Sequence, residues 1–125
     1  MKQVIAIIRM NKMNATKQAL IEAGFPAFTA RKVLGRGKGN VDFRVIGGAE
    51  AGAPEAIARL KDDGPMLIPN RMMSFAVPDE SVPKLIATLI QTNRTGNRGD
   101  GKILVLPLED AVRIRTGERG TAAVT

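Results

Sequence analysis

The stretch from residue 71 to residue 108 reads RMMSFAVPDE SVPKLIATLI QTNRTGNRGD GKILVLPL, and three patterns succeed one another within it. Arg71 to Val77 is a hydrophobic run carrying Met72, Met73, Phe75 and Val77, which reads as a strand. Val82, Leu85, Ile86, Leu89 and Ile90 then fall at i, i+3, i+4, i+7 and i+8, one continuous apolar face of a helix. Asp79 or Ser81 is placed to cap that helix, and Pro83 lies in its first turn, where a missing N–H costs no hydrogen bond. Thr92 to Gly101 is polar and punctuated by glycine, hence a loop, and Ile103 to Leu108 returns to strand character.

The same order precedes this stretch. Gln3 to Arg9 is a short run of mainly apolar residues, read as a strand buried on both faces. From Asn14, a candidate N-cap, the pattern turns helical, with Thr16, Ala19, Leu20 and Ala23 on one face and Gly24 just past the end. Pro26 cannot continue the helix, and Ala27 to Leu34 reads as a second strand. Between the halves, Val41 to Ile46 has strand character, while Gly47 to Pro65 is a glycine- and alanine-rich excursion with a helical pattern over Pro54 to Lys61. A connection of that length in a small domain reads as a functional loop or as an ordered surface insertion.

Two βαβ halves in one chain predict an α+β fold of the ferredoxin-like split βαβ type: βαβ, loop, βαβ, then a C-terminal strand at Val112 to Arg115. Both helices then cover one face of an antiparallel sheet. The other face, read as carrying Met72, Met73 and Phe75, would be a large apolar patch in a monomer, so self-association is expected.

At 125 residues the chain is sized for a single domain over 1–125. It has no cysteine and no histidine, which removes disulfides, thiolate nucleophiles, imidazole bases and the usual zinc ligand sets. A Ser/His/Asp hydrolase is excluded. The absence of cysteine fits a reducing cytoplasm, and the apolar run Val4 to Ile8 is too short for a signal peptide or a membrane span, so no membrane insertion is expected. Nineteen Lys and Arg against twelve Asp and Glu give a formal charge of +7, which points to acidic partners without choosing among them. With no Trp or Tyr and only four Phe, a stacking platform for single-stranded nucleic acid is not expected.

Two segments carry anion chemistry. Thr95 to Lys102 contains Gly96, Gly99 and Gly101, residues that permit close backbone approach to a phosphate, with Lys102 beside them. A glycine-rich hairpin connection explains the same residues equally well. In Val112-Arg113-Ile114-Arg115, strand alternation would put Arg113 and Arg115 on one face roughly 6.6 Å apart, with Val112 and Ile114 inward. Two guanidinium forks at that spacing suit a polyphosphate, and they also suit a solvated edge strand.

Thr95-Gly96, Gly99-Asp100-Gly101-Lys102-Ile103 and Val112-Arg113-Ile114-Arg115-Thr116-Gly117-Glu118 together resemble the C-terminal signature of the PII nitrogen-signalling proteins. Ile5 to Arg9, Glu22-Ala23-Gly24, and Val33 with Gly35 and Gly37 are also similar to that family. The resemblance implies a homotrimer binding ATP or ADP in the clefts between subunits, and a T-loop-type excursion over 36–68. Ile7, Thr29, Gly35, Gly37, Gly99, Gly101, Lys102, Arg113 and Arg115 match the family's nucleotide positions, with Arg113 and Arg115 reaching in from the neighbouring subunit. The resemblance also implies that 2-oxoglutarate binds beside Mg-ATP near the T-loop base. No catalysis is implied, and any ATP hydrolysis would be slow and incidental.

Gly24 to Ala30, Val33 to Gly39 and Leu106 to Val112 most resemble the second of the paired PII-like regulators from nitrogenase operons. The implied partner is then a nitrogenase component, or the paired PII-like protein in a mixed assembly. A PII-type regulator of an ammonium transporter or nitrogen-assimilation enzyme, and below it a basic nucleic-acid-binding module, are the alternatives. The chain departs from the family in several ways: it has no tyrosine to be nucleotidylated, its excursion is longer, and Asn70 stands where a lysine is expected, with Arg71 beside it. No glutamine stands at the T-loop base. The last two absences fall on the 2-oxoglutarate site and not on the phosphate site.

Overall fold

A computed structural model describes residues 1–37 and 67–125. The strand read at Val41 to Ile46 and the helix read at Pro54 to Lys61 lie outside the described residues. Four strands, β1 (Lys2–Arg9), β2 (Thr29–Gly35), β3 (Ile68–Val77) and β4 (Lys102–Pro107), form one sheet in the order β2-β3-β1-β4, with every neighbouring pair antiparallel. Helices α1 (Met13–Glu22) and α2 (Val82–Asn93) pack against each other over one face. This is the expected split βαβ topology.

Strand alternation divides the sheet into two faces. Val4, Ala6 and Ile8 of β1, with Met73, Phe75 and Val77 of β3, face the helices and join Leu20, Leu85 and Leu89 in the core. Phe28 packs beside Phe75 with ring centroids 6.1 Å apart. The reading of Met73 and Phe75 as exposed sheet residues is therefore corrected: they are 0% and 2% exposed. In the observed register Met72 stands opposite Ile7, and Ile5 opposite Leu104, so the outer apolar face is Ile5, Ile7, Met72, Leu104 and Leu106. Leu104 keeps 42% of its surface.

Helix α1 does not start at Asn14. A 3-10 turn over Met10–Lys12 leads into it and places Lys12 at the N-cap, with no side-chain capping bond. The C-terminal end behaves as read. Gly24 takes φ +91°, its N–H donates to the Ile21 carbonyl at 3.1 Å, and the Phe25 N–H reaches the Leu20 carbonyl at 2.7 Å. Both bonds need a left-handed residue at this position, which glycine adopts without steric cost. Ser81 is the N-cap of α2 but makes no side-chain capping bond, while Asp79 is drawn to the Met1 ammonium at 2.9 Å.

A buried polar bridge joins the two helices. Asn93 Nδ2 donates to Thr16 Oγ1 at 3.1 Å and to the Leu89 carbonyl at 2.9 Å, and Thr16 Oγ1 donates to the Lys12 carbonyl at 2.7 Å. The bridge fixes the end of α2, and with it the start of the loop that follows.

The strand read at Val112 to Arg115 is not formed. Val112 makes a single bridge with Arg119, Ile114 to Thr116 form a turn, and the Gly117 N–H returns to the Arg113 carbonyl at 2.7 Å. Val112 and Ile114 do not point inward: they are 52% and 100% exposed. Apolar-polar alternation predicts a strand only where a neighbour supplies the ladder, and here the backbone bonds go to a local hairpin instead. A short helix, α3 (Thr121–Val124), follows.

Candidate functional site

The loop from Thr95 to Gly101 is organised around one carboxylate. Asp100 Oδ2 accepts the Thr95 N–H at 2.8 Å and the Gly96 N–H at 3.0 Å, while Oδ1 accepts the Thr95 hydroxyl. Arg9, the last residue of β1, closes the ring. Its Nη1 lies 3.1 Å from Asp100 Oδ1 and 3.3 Å from Thr95 Oγ1, and its Nη2 donates to the Arg98 carbonyl at 2.8 Å. The Thr95 hydroxyl, then the Thr95 and Gly96 amides, then the Arg9 charge hold the Asp100 carboxyl below the usual carboxylate range, so it is ionised at neutral pH.

The loop hands the chain to β4 through Gly101, at φ +119°. A Cβ there would collide with the Ile7 carbonyl oxygen of β1. Glycine at this position is required by the approach of the protein's own strand. The sequence pointed to close approach, but to a ligand.

Ile7, Gly35, Gly37, Gly99, Gly101 and Lys102 come together around one open cavity of about 720 Å³. Each was expected in the nucleotide site. Arg36, Arg98, Asn70, Asn97 and Asp100 complete the lining. Three cationic residues therefore face one carboxylate that is already engaged by Arg9, and the cavity is electropositive. Asn70 and Arg71 part company here. Arg71 stands opposite Ile8 in the register, on the helix side of the sheet, so it does not replace the missing lysine in the cavity. A second cavity of about 430 Å³ shares Ile7, Asp100, Gly101 and Lys102 and continues between α2 and β4, past Ile86, Ile90 and Val105.

The remaining expected residues stand elsewhere. Thr29 begins β2, six residues from Gly35, or about 20 Å along the strand. Arg113 is held within the C-terminal segment: Nη1 pairs with Glu118 Oε1 at 2.6 Å, and Nη2 donates to the Ala122 and Thr125 carbonyls at 3.0 and 3.2 Å. Arg115 is exposed. Arg113 and Arg115 do not share a strand face. Among the described residues no helix is long and apolar enough to cross a membrane, and no group of three His, Cys, Asp or Glu could hold a metal.

Residue-by-residue reading missed the organisers of the loop, Arg9 and Asp100, and two of the cavity's cations, Arg36 and Arg98. The signal for Arg9 was its position as the charge ending an apolar strand, and for Asp100 its place between two glycines. Only the topology brings the two together.

The family model described as "Nitrogen regulatory protein P-II" matches residues 1–118. A "Nitrogen fixation nifHD region GlnB-like protein 2" from Methanobacterium ivanovii is 42% identical over 124 residues, covering 99% of both chains. The protein of the same description from Methanococcus maripaludis is 44% identical over 127 residues, covering 99% of this chain and 100% of its own. Among solved structures, "Crystal Structure of Arabidopsis thaliana PII bound to citrate" aligns with a TM-score of 0.71 at 30% identity, covering 98% of this chain and 88% of that one. The chain thus belongs to the nitrogen regulatory protein P-II family.

Proposed function

We propose that this chain is a non-catalytic nitrogen-status signalling protein that binds ATP or ADP between the subunits of a homotrimer, senses 2-oxoglutarate, and regulates nitrogenase by direct binding. The observation that carries the reading is the electropositive cavity in which Ile7, Gly35, Gly37, Gly99, Gly101 and Lys102 meet. Lys102 and the positive-φ glycines suit a polyphosphate, which takes charge from a cation and hydrogen bonds from backbone amides. Arg113 and Arg115 lie away from this cavity within the chain, and they would join it from the neighbouring subunit. The outer face of Ile5, Met72, Leu104 and Leu106 gives those subunits an apolar surface to share. A magnesium ion accompanying ATP would take phosphate oxygens and retained waters as ligands. The names of the methanogen relatives, which place them in nitrogen-fixation regions, support nitrogenase as the target.

Calorimetric titration of the purified chain with ATP and ADP, beside sedimentation analysis, tests the core of this reading. Saturable, salt-tolerant binding by a trimer is expected, with 2-oxoglutarate tightening the binding of Mg-ATP. No binding of either nucleotide would overturn it. A pull-down from nitrogen-fixing cells after ammonium addition tests the target. Nitrogenase subunits are the expected catch, whereas a membrane ammonium transporter alone would move the target to the channel.

A further inference from the structure

We propose that Arg9, acting through Asp100, is a positioning residue for the anion that enters the 720 Å³ cavity. The inference rests on the reading that phosphates bind there, and it goes beyond that reading by assigning a role to two groups outside the expected site.

A chain segment with glycine at 96, 99 and 101 has much conformational freedom to lose, and a ligand that orders it must oppose that entropy. In this protein the ordering is done beforehand. Asp100 takes two backbone amides and a hydroxyl of its own loop, and Arg9 ties both that carboxylate and the Arg98 carbonyl to the end of the central strand β1. The six residues from Thr95 to Asp100 are thereby fixed to the sheet from behind, with Gly99 and Lys102 at the cavity.

Charge makes the same residue necessary. Asp100 lines the cavity, and its carboxylate, ionised at neutral pH, would repel a phosphate approaching Lys102. Arg9 sets a guanidinium directly on that carboxylate and satisfies it. Removing Arg9 therefore does two kinds of harm: it loosens the loop and it uncovers a negative charge.

Asp100→Asn separates the two effects. If Asp100 acted through its charge alone, its neutralisation would strengthen ATP binding. If it holds the loop, the substitution replaces an acceptor of three hydrogen bonds by a group with one acceptor oxygen, and binding should weaken. The experiment measures ATP affinity by calorimetry for the full-length protein and its Arg9→Met, Arg9→Lys and Asp100→Asn variants, with oligomeric state by sedimentation. Exchange of the Thr95 and Gly96 amides is followed by NMR without nucleotide.

ATP affinity is expected to fall about tenfold or more in Arg9→Met and several-fold in Asp100→Asn, with faster exchange at both amides in each. Arg9→Lys should recover part of the affinity, because an ammonium satisfies Asp100 but does not span to the Arg98 carbonyl as well. Should Arg9→Met fail to fold, Asp100→Asn decides alone. ATP affinity equal to or above wild type in Asp100→Asn, or unchanged amide exchange, overturns the positioning role. If the unaltered protein itself binds no ATP, the proposed function falls, an outcome distinct from normal binding that ignores Arg9.

Discussion

The glycine loop at 95–101 and the C-terminal segment at 108–125 are built alike in composition and held in opposite ways. Each contains glycines at positive φ, at least one arginine, and an aspartate that accepts backbone amides: Asp100 takes those of Thr95 and Gly96, and Asp110 takes those of Ala111 and Gly120. The first is pinned to the middle of the sheet through Arg9 and through the contact of Gly101 with Ile7. The second is held largely by bonds within itself, such as Arg113 to Glu118 and Arg119 to Asp110, and it presents Val112 and Ile114 to solvent. Ile114, wholly exposed between two arginines, with Val112 half exposed nearby, gives a neighbouring subunit of the proposed trimer an apolar point to cover. Under the proposed function, one half of the site would be finished within a subunit and the other half would come from a neighbour.

Glycine replacement tests that contrast most severely. Gly101→Ala meets both a left-handed backbone and the Ile7 carbonyl, so it should cost about 3 kcal/mol or more, the sum of local strain and a backbone collision that no rotamer relieves. Gly117→Ala has the left-handed φ of 73° but open space around the new carbon, and should cost about 1 kcal/mol. Urea denaturation of the two variants gives the comparison directly. Equal losses would mean that the loop is no more tightly built into the sheet than the C-terminal hairpin.

The next effect in size concerns ligand binding. Arg113→Ala removes a charge-assisted fork worth about 1.5–3 kcal/mol, and ATP affinity should fall about 10- to 150-fold with the sheet and its core intact, while the C-terminal segment loses the Arg113 contacts to Glu118, Ala122 and Thr125. Lys102→Ala should weaken ATP comparably. If the two residues meet only across a subunit boundary, refolding the two variants together regenerates some clefts carrying both cations. Calorimetry on the mixture then shows a tight-binding fraction that neither variant has alone. Its absence removes the shared cleft, and unchanged affinity in Arg113→Ala removes that residue from the site.

What could be read beforehand follows the same division. β1, α2 and β4 announced themselves, because an apolar period of 2 or 3.6 reflects burial against a neighbour in the same chain. The glycine loop was legible as a loop, and Lys102 as its cation. Val112 to Arg115 misled because its alternation is real while, among the described residues, no strand pairs with it beyond the single bridge of Val112 to Arg119. Asn14 misled because a 3-10 turn between Met10 and Lys12 had already begun the helical path. The clamp between Arg9 and Asp100 joins residues 91 positions apart, and no local pattern encodes which charged side chain will stand beside which. The face of β3 was misassigned for a related reason: with Met72, Met73 and Phe75 all apolar, only the register with β1 tells which of them look inward.

The smallest expected effect is also the most discriminating about how each region is held. Asp100, Asp110 and Glu118 all have their carboxyls lowered, so each adds stability that is present above the ordinary carboxylate pKa of about 4 and is lost as pH falls through its lower folded value. Acid unfolding should therefore begin below about pH 4 and not near neutrality. The causes differ in rank. For Asp100 the Thr95 hydroxyl and the loop amides come first, and the Arg9 charge is the weakest contribution. For Glu118 the Thr116 side chain comes first and the Arg113 charge second. Salt screens charge between exposed groups far more than it weakens a short hydrogen bond. NMR titrations at about 0.05 and 0.5 M salt should thus move the Glu118 midpoint upward and leave Asp100 nearly in place. A shift of Asp100 as large as that of Glu118 would show that the loop is held by the arginine's charge and not by its own hydrogen-bonded ring.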